Sequence, residues 1–117
     1  MTTISTSNDY LTLINIFTVA PANQQKLVQL LSLATNETVC KVPGFISSAL
    51  HKSLDGTIVT MYAQWESKEH YQSMRNNPVA SPYLDEALQI ATFAPGMYEV
   101  VETFEPIKSA TDNTHEA

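Results

Sequence analysis

Three residues set a polar group where its neighbours are apolar or aromatic. Asn15 stands in the run Leu11-Thr-Leu-Ile-Asn-Ile-Phe-Thr-Val19 and shares alternate positions with Leu11, Leu13, Phe17 and Val19. If that face is buried, the amide must find partners, because an unpaired one costs about 1–3 kcal/mol. Either its NH₂ donates to a substrate oxygen or it bonds a neighbouring backbone group. Trp65, the single tryptophan, shares a strand face with Val59, Met61 and Ala63; core packing is its plain reading. Tyr71 follows six residues later, where a partly exposed helix tyrosine is the plain alternative to a working phenol. His70 could act as a general base, although adjacent helical residues face different ways and a solvated histidine is the commoner case. His51 reads as structural or exposed. His51, His70 and His115 share no short metal-ligand spacing, and no Gly-rich dinucleotide fingerprint is present. The chemistry within reach is therefore hydrogen bonding and proton transfer around a substrate oxygen.

The elements that must hold these residues follow from periodicity and breakers. Tyr10 to Val19 alternates as a strand. After Pro21, Leu27, Leu30, Leu31, Ala34 and Thr38 recur at helical spacing, predicting an amphipathic helix over about 22–40. Pro43-Gly44 ends it, and Cys40 near its end is expected to be a small buried hydrophobe. Phe45 to Leu54 and Thr57 to Trp65 form a hairpin across Asp55-Gly56. Ser67 caps a short helix to about Asn76. Ser81-Pro82 opens another, with Ser at N-cap and an apolar stripe of Leu84, Ala87, Leu88 and Ala91. Pro95-Gly96 ends that helix, and Met97 to Phe104 is the last strand. The order β-α-β-β-(α)-α-β is the ferredoxin-like, α+β pattern: an antiparallel sheet with helices on one face. The other face, with candidates Ile14, Ile16, Tyr62 and Tyr98 or Val101, is left bare. A bare apolar face marks association, and two such sheets face to face make a symmetric homodimer.

The chain has 117 residues, 44% of them hydrophobic and 15% charged. This suits one domain, read as 9–106 between flexible termini at 1–8 and 107–117. The net charge is −6, with six scattered Lys and Arg. Nucleic acid and anionic membranes need clustered cations, so neither is an expected partner. One cysteine allows no internal disulfide, which suits the reducing cytoplasm. There is no signal-peptide pattern and no apolar run long enough for a membrane helix.

Four segments carry a family resemblance: Leu13-Ile-Asn-Ile-Phe-Thr-Val19, Pro43-Gly-Phe-Ile-Ser47 through His51-Lys-Ser-Leu-Asp-Gly56, Tyr62-Ala-Gln-Trp-Glu-Ser67 and Tyr98-Glu-Val-Val-Glu102. Together they resemble the antibiotic-biosynthesis monooxygenase family over about residues 9–105, with Tyr-Ala-Gln-Trp the most specific piece. The resemblance implies a dimeric α+β barrel. Its members include oxygenases of anthrones, phenols and quinols, a signalling-molecule isomerase and haem-degrading enzymes. It therefore guides fold better than substrate. For the oxygenases it implies no metal or organic cofactor, with O₂ as co-substrate and a small electron-rich aromatic as substrate. It assigns Asn15 and Trp65 to the catalytic site, and places Phe17, Met61, Tyr71 and Met74 against the substrate. In such enzymes the tryptophan lines the pocket and can donate through its indole N–H, and a tyrosine near Tyr71 donates a proton.

Two departures matter. Anthrone-oxygenating relatives commonly carry an asparagine four residues before the tryptophan, where this chain has Met61. Losing one such donor can cost about 10²–10³ in rate. The haem-degrading branch needs a later histidine, and Tyr71 to Thr114 contains none. Three functions follow: a cofactor-independent monooxygenase, as in polyketide tailoring; a non-oxidising binding or cyclase-like accessory domain for aromatic polyketides; or an isomerase of a small oxygenated metabolite. An apolar cavity of about 300 Å³ or more would suit an aromatic, and a small polar one with a base would suit the isomerase.

Overall fold

Alternation builds the sheet. In the computed structural model, which describes residues 2–7, 9–76 and 81–107, β1 (Leu11–Val19) buries Leu13, Phe17 and Val19 on one face. The face behind carries Thr12, Ile14, Ile16 and Thr18. The remaining elements are α1 (Gln24–Glu37), β2 (Phe45–Lys52), β3 (Ile58–Trp65), α2 (Lys68–Arg75), α3 (Ser81–Leu88) and β4 (Ala91–Tyr98). Short 3₁₀ turns at Pro21–Asn23 and Val39–Lys41 flank α1. The four strands pair antiparallel in the order β2-β3-β1-β4. This is the ferredoxin-like α+β arrangement that the alternating elements predict.

The predicted stripe of α1 holds: Leu27, Leu30, Leu31 and Thr38 are buried. The three leucines pack on Phe17, Val19, Val59 and Ala87, with Leu84 and Phe93 beside them. A second cluster at the opposite end of the same sheet face joins Leu13, Ala63, Trp65 and Tyr71. Ser67 caps α2 by accepting the His70 backbone N–H at 3.2 Å.

The last strand is a correction. It runs over Ala91–Tyr98, not Met97 to Phe104, and α3 stops at Leu88. Ala91 therefore belongs to β4, and Leu88 faces solvent. Pro95-Gly96 lies inside the strand, opposite Asn15 and Ile14. An edge strand tolerates proline, and β4 is an edge. The tip of the exposed Tyr98 ring lies where a β-carbon at Gly96 would project, so a larger residue there would have to turn that ring aside. Beyond β4, residues 99–107 carry no regular structure, and Val101, Phe104 and Ile107 are exposed.

The register places Ile14, Tyr62 and Tyr98 on the uncovered face with Ile16. At the other end of the chain, Gln64 donates to the Thr3 carbonyl at 2.7 Å, which ties the leading residues to the sheet. The other residues called flexible at the termini, Met1, Asn8 and 108–117, lie outside the described residues. No described helix is long and apolar enough to cross a membrane.

Candidate active site

Between the two apolar clusters the sheet and helices leave a cavity of about 100 Å³. Leu13, Asn15, Phe17, Met61 and Ala63 form its floor, α1 gives Leu31, Ala34 and Thr35, and α2 gives Tyr71, Met74 and Arg75. Five of the six expected site residues (Asn15, Phe17, Met61, Tyr71 and Met74) meet on this wall. Asn15 is partly accessible although Leu13 and Phe17 on either side of it are buried, because the cavity opens above it. Its Oδ1 is nevertheless buried and has no hydrogen-bond partner. An amide left this way in an apolar wall wants a ligand group. Met61 is its direct neighbour across the β1–β3 ladder, so a thioether stands beside the one amide.

Trp65 stands behind the wall rather than on it. It is 1% exposed, and its ring packs edge-on against Phe45 at 5.4 Å and Tyr71 at 5.9 Å. Its indole Nε1 is the second buried polar atom without a partner. Tyr71 is buried, and its phenol oxygen accepts a hydrogen bond from Arg75 Nη1 at 3.0 Å. Arginine has no acceptor, so the Tyr71 proton stays free to be donated elsewhere. The Arg75 guanidinium lies over the Phe93 ring at 5.2 Å, within cation–π range, and Phe93 stacks on Phe17 at 4.8 Å.

His70 does not enter the cavity. Its side chain lies where an added β-carbon at Gly44 would project, and its Nδ1 is 2.7 Å from Ser67 Oγ. Gly44 also has φ +90°, so glycine is needed twice over. His51 is exposed on β2. Among the described residues no three of His, Cys, Asp and Glu gather as a metal site. Cys40 is exposed, which corrects the expectation of burial: it sits in the 3₁₀ turn after α1, off the helix stripe.

A more polar groove of about 410 Å³ adjoins the cavity and shares Thr35, Phe45, Ser48 and Met61 with it. The inner cavity is smaller than the expected 300 Å³. An apolar hole of about 150 Å³ takes benzene, so the inner space at about 100 Å³ is tighter than one ring needs, and a ring here has to extend into the adjoining groove. Arg75 and Phe93 are wall residues that the sequence did not flag. Arg75 follows Tyr71 by four positions, the spacing at which helical side chains meet. Phe93 was hidden by the misplaced last strand.

The model of the antibiotic biosynthesis monooxygenase family matches residues 10–83. Tetracenomycin-F1 monooxygenase of Streptomyces glaucescens is 38% identical over 104 residues, covering 89% of this chain and 93% of the relative. A monooxygenase from the ActVA-Orf6 gene of Streptomyces coelicolor, solved with nanaomycin D, superposes with a TM-score of 0.70 at 33% identity, over 84% of this chain and 93% of that one. SnoaB, a cofactor-independent oxygenase of Streptomyces nogalater, superposes at 0.67 with 21% identity, over 84% and 99%.

Proposed function

The chain belongs to the antibiotic biosynthesis monooxygenase family and is a monooxygenase, and on that footing we propose that it oxygenates an electron-rich polycyclic phenol, anthrone or quinol without a cofactor. The observation that carries this reading is the buried, unpartnered Asn15 Oδ1 on the wall of an apolar cavity. The two similar enzymes named with tetracenomycin F1 and nanaomycin D favour a ligand of this kind.

The substrate activates oxygen itself in this mechanism. The acidic carbon or phenol of the reacting ring loses a proton, and the resulting anion passes one electron to O₂. Radical and superoxide combine into a peroxide. Loss of water then converts a ring CH₂ into a carbonyl, so that CH₂ and O₂ become C=O and H₂O. The protein excludes water, holds the ring, and stabilises the oxyanion. Asn15 can accept from the substrate hydroxyl through Oδ1 or, with the amide turned over, donate through its NH₂; the two orientations are exchangeable. Tyr71, whose proton Arg75 leaves free, protonates the departing peroxide oxygen. The reacting edge of the substrate enters the inner cavity, and the rest of its rings lie in the adjoining groove. Neither described histidine faces the cavity, so the isomerase reading lacks its base. The accessory-domain reading keeps one observation in its favour, the Met61 thioether beside Asn15.

The same proposal includes a homodimer in the cytoplasm. The uncovered face with Ile14, Ile16, Tyr62 and Tyr98 is the surface to pair, and an interface above about 1,000 Å² is expected. A monomer in sedimentation at micromolar concentration would end that part of the reading. The decisive test is oxygen uptake by chelator-treated protein with a panel of anthrones and hydroquinones. Uptake above autoxidation that is lost in Asn15→Ala and reduced in Trp65→Phe is the expected result. Tight binding with no uptake would instead establish the accessory domain.

A further inference from the structure

We infer that Arg75 selects, at the mouth of this cavity, aromatic substrates that carry a carboxylate. The inference rests on the cavity being the aromatic site and names the polar group that its ligand bears. Among the described residues Arg75 is the one charged residue on the cavity wall. It is also in the last turn of α2, where any cation is favoured by the helix dipole. That alone would let it point into solvent. Instead it turns over Phe93 and donates to buried Tyr71.

This posture leaves the guanidinium suited to a ligand. A guanidinium carries five N–H donors in a planar fork that matches a carboxylate, and the bond to Tyr71 uses one of them. The residue as a whole is exposed, so an incoming anion need not displace a buried partner. Its place over the Phe93 ring and its bond to Tyr71 hold the guanidinium at the wall and lower the entropy lost on binding. The remaining lining is apolar or neutral, so nothing else there would attract an anion. The chain itself carries −6, and an acidic aromatic approaching it meets a repulsive field. Arg75 reverses that field locally. A ring seated over Asn15 with its acidic group at Arg75 has its reacting carbon inside and its charge outside, in water.

The test compares two probes of the same shape, anthraquinone-2-carboxylate and anthraquinone-2-carboxamide. Binding is followed by calorimetry and by quenching of Trp65, the single tryptophan, which packs on Tyr71. The wild type is expected to bind the carboxylate at least about tenfold more tightly, the factor that corresponds to about 1.4 kcal/mol. Arg75→Gln is expected to abolish that preference, with the carboxylate losing at least about tenfold more affinity than the carboxamide. Equal weakening of both probes would mean that Arg75 only shapes the wall through Tyr71, and the inference would fall. No preference in the wild type, including no binding of either probe, would also overturn it. The readout needs no turnover. Carboxylate selection without oxygen uptake would therefore leave this inference standing and remove the oxygenase mechanism. Uptake lost in Asn15→Ala without carboxylate selection would do the reverse.

Discussion

The two ends of the covered sheet face are built from the same strands and obey different rules. At the hairpin end, Phe17, Val19, Val59, Leu27, Leu30 and Leu31 form a purely apolar cluster. Gln24, at the start of α1, donates to the carbonyls of Ser53 and Ile58 at 3.0 and 3.1 Å. At the other end, Leu13 and Ala63 are packed with Trp65 and Tyr71, and the two buried side-chain polar atoms without partners among the described residues, on Trp65 and Asn15, lie on this side and in the cavity between. A chain that needed only stability would place leucine at both ends. The difference teaches that one end holds the fold and the other is left unfinished for a ligand, with the local cost carried by the first.

The largest effect should come from the finished end. Leu27 is fully buried, and Leu27→Ala should cost about 2–5 kcal/mol in urea unfolding through lost contacts and a residual hole. Turnover per folded molecule should be unchanged, because Leu27 is not on the cavity wall. A smaller stability cost than an equivalent truncation of Met74 would break the comparison. Asn15→Leu should act in the opposite sense. It removes an unpaired amide oxygen from an apolar wall, so stability should hold or rise, while oxygen uptake should fall about 10²–10³-fold. Loss of stability without loss of activity would mean that the amide serves the fold.

The same contrast explains what could be read from the sequence. The stripe on α1, the β1 alternation and the Asp55-Gly56 hairpin were legible because apolar spacing and turn chemistry agree there. Asn15 was legible because a polar residue interrupts an apolar face. The last strand was not, since Pro95-Gly96 signals a break unless the strand is known to be an edge. Trp65 shows a different limit. Alternation assigns it the correct face, yet its depth behind Tyr71 depends on how α2 docks. Arg75 was visible only as a surface cation until α2 was placed over Phe93.

The smallest effect tests how complete the pairing is at the finished end. In the hairpin turn, Asp55 Oδ1 accepts from Thr57 Oγ1 at 2.7 Å, from Ser53 Oγ at 2.8 Å and from the Thr57 N–H at 3.0 Å. These bonds, the Thr57 hydroxyl first, hold its carboxyl below the ordinary 3.8. A depressed carboxylate contributes stability that is complete above the unfolded value and is lost as pH falls through the folded one. Asp55→Asn should therefore lower the thermal midpoint slightly at pH 6. That gap should narrow as the pH drops below 3.8 and the wild-type carboxyl takes up a proton. Because the group is exposed, the gap at pH 6 should be the least of the three effects. Oxygen uptake at neutral pH should not change, since the turn lies at the opposite end from Trp65 and Tyr71. A gap that stays constant with pH would show that Asp55 acts through turn geometry rather than charge, and the hairpin would then owe its order to Gly56, whose φ is +86°, and to its packing on Pro21.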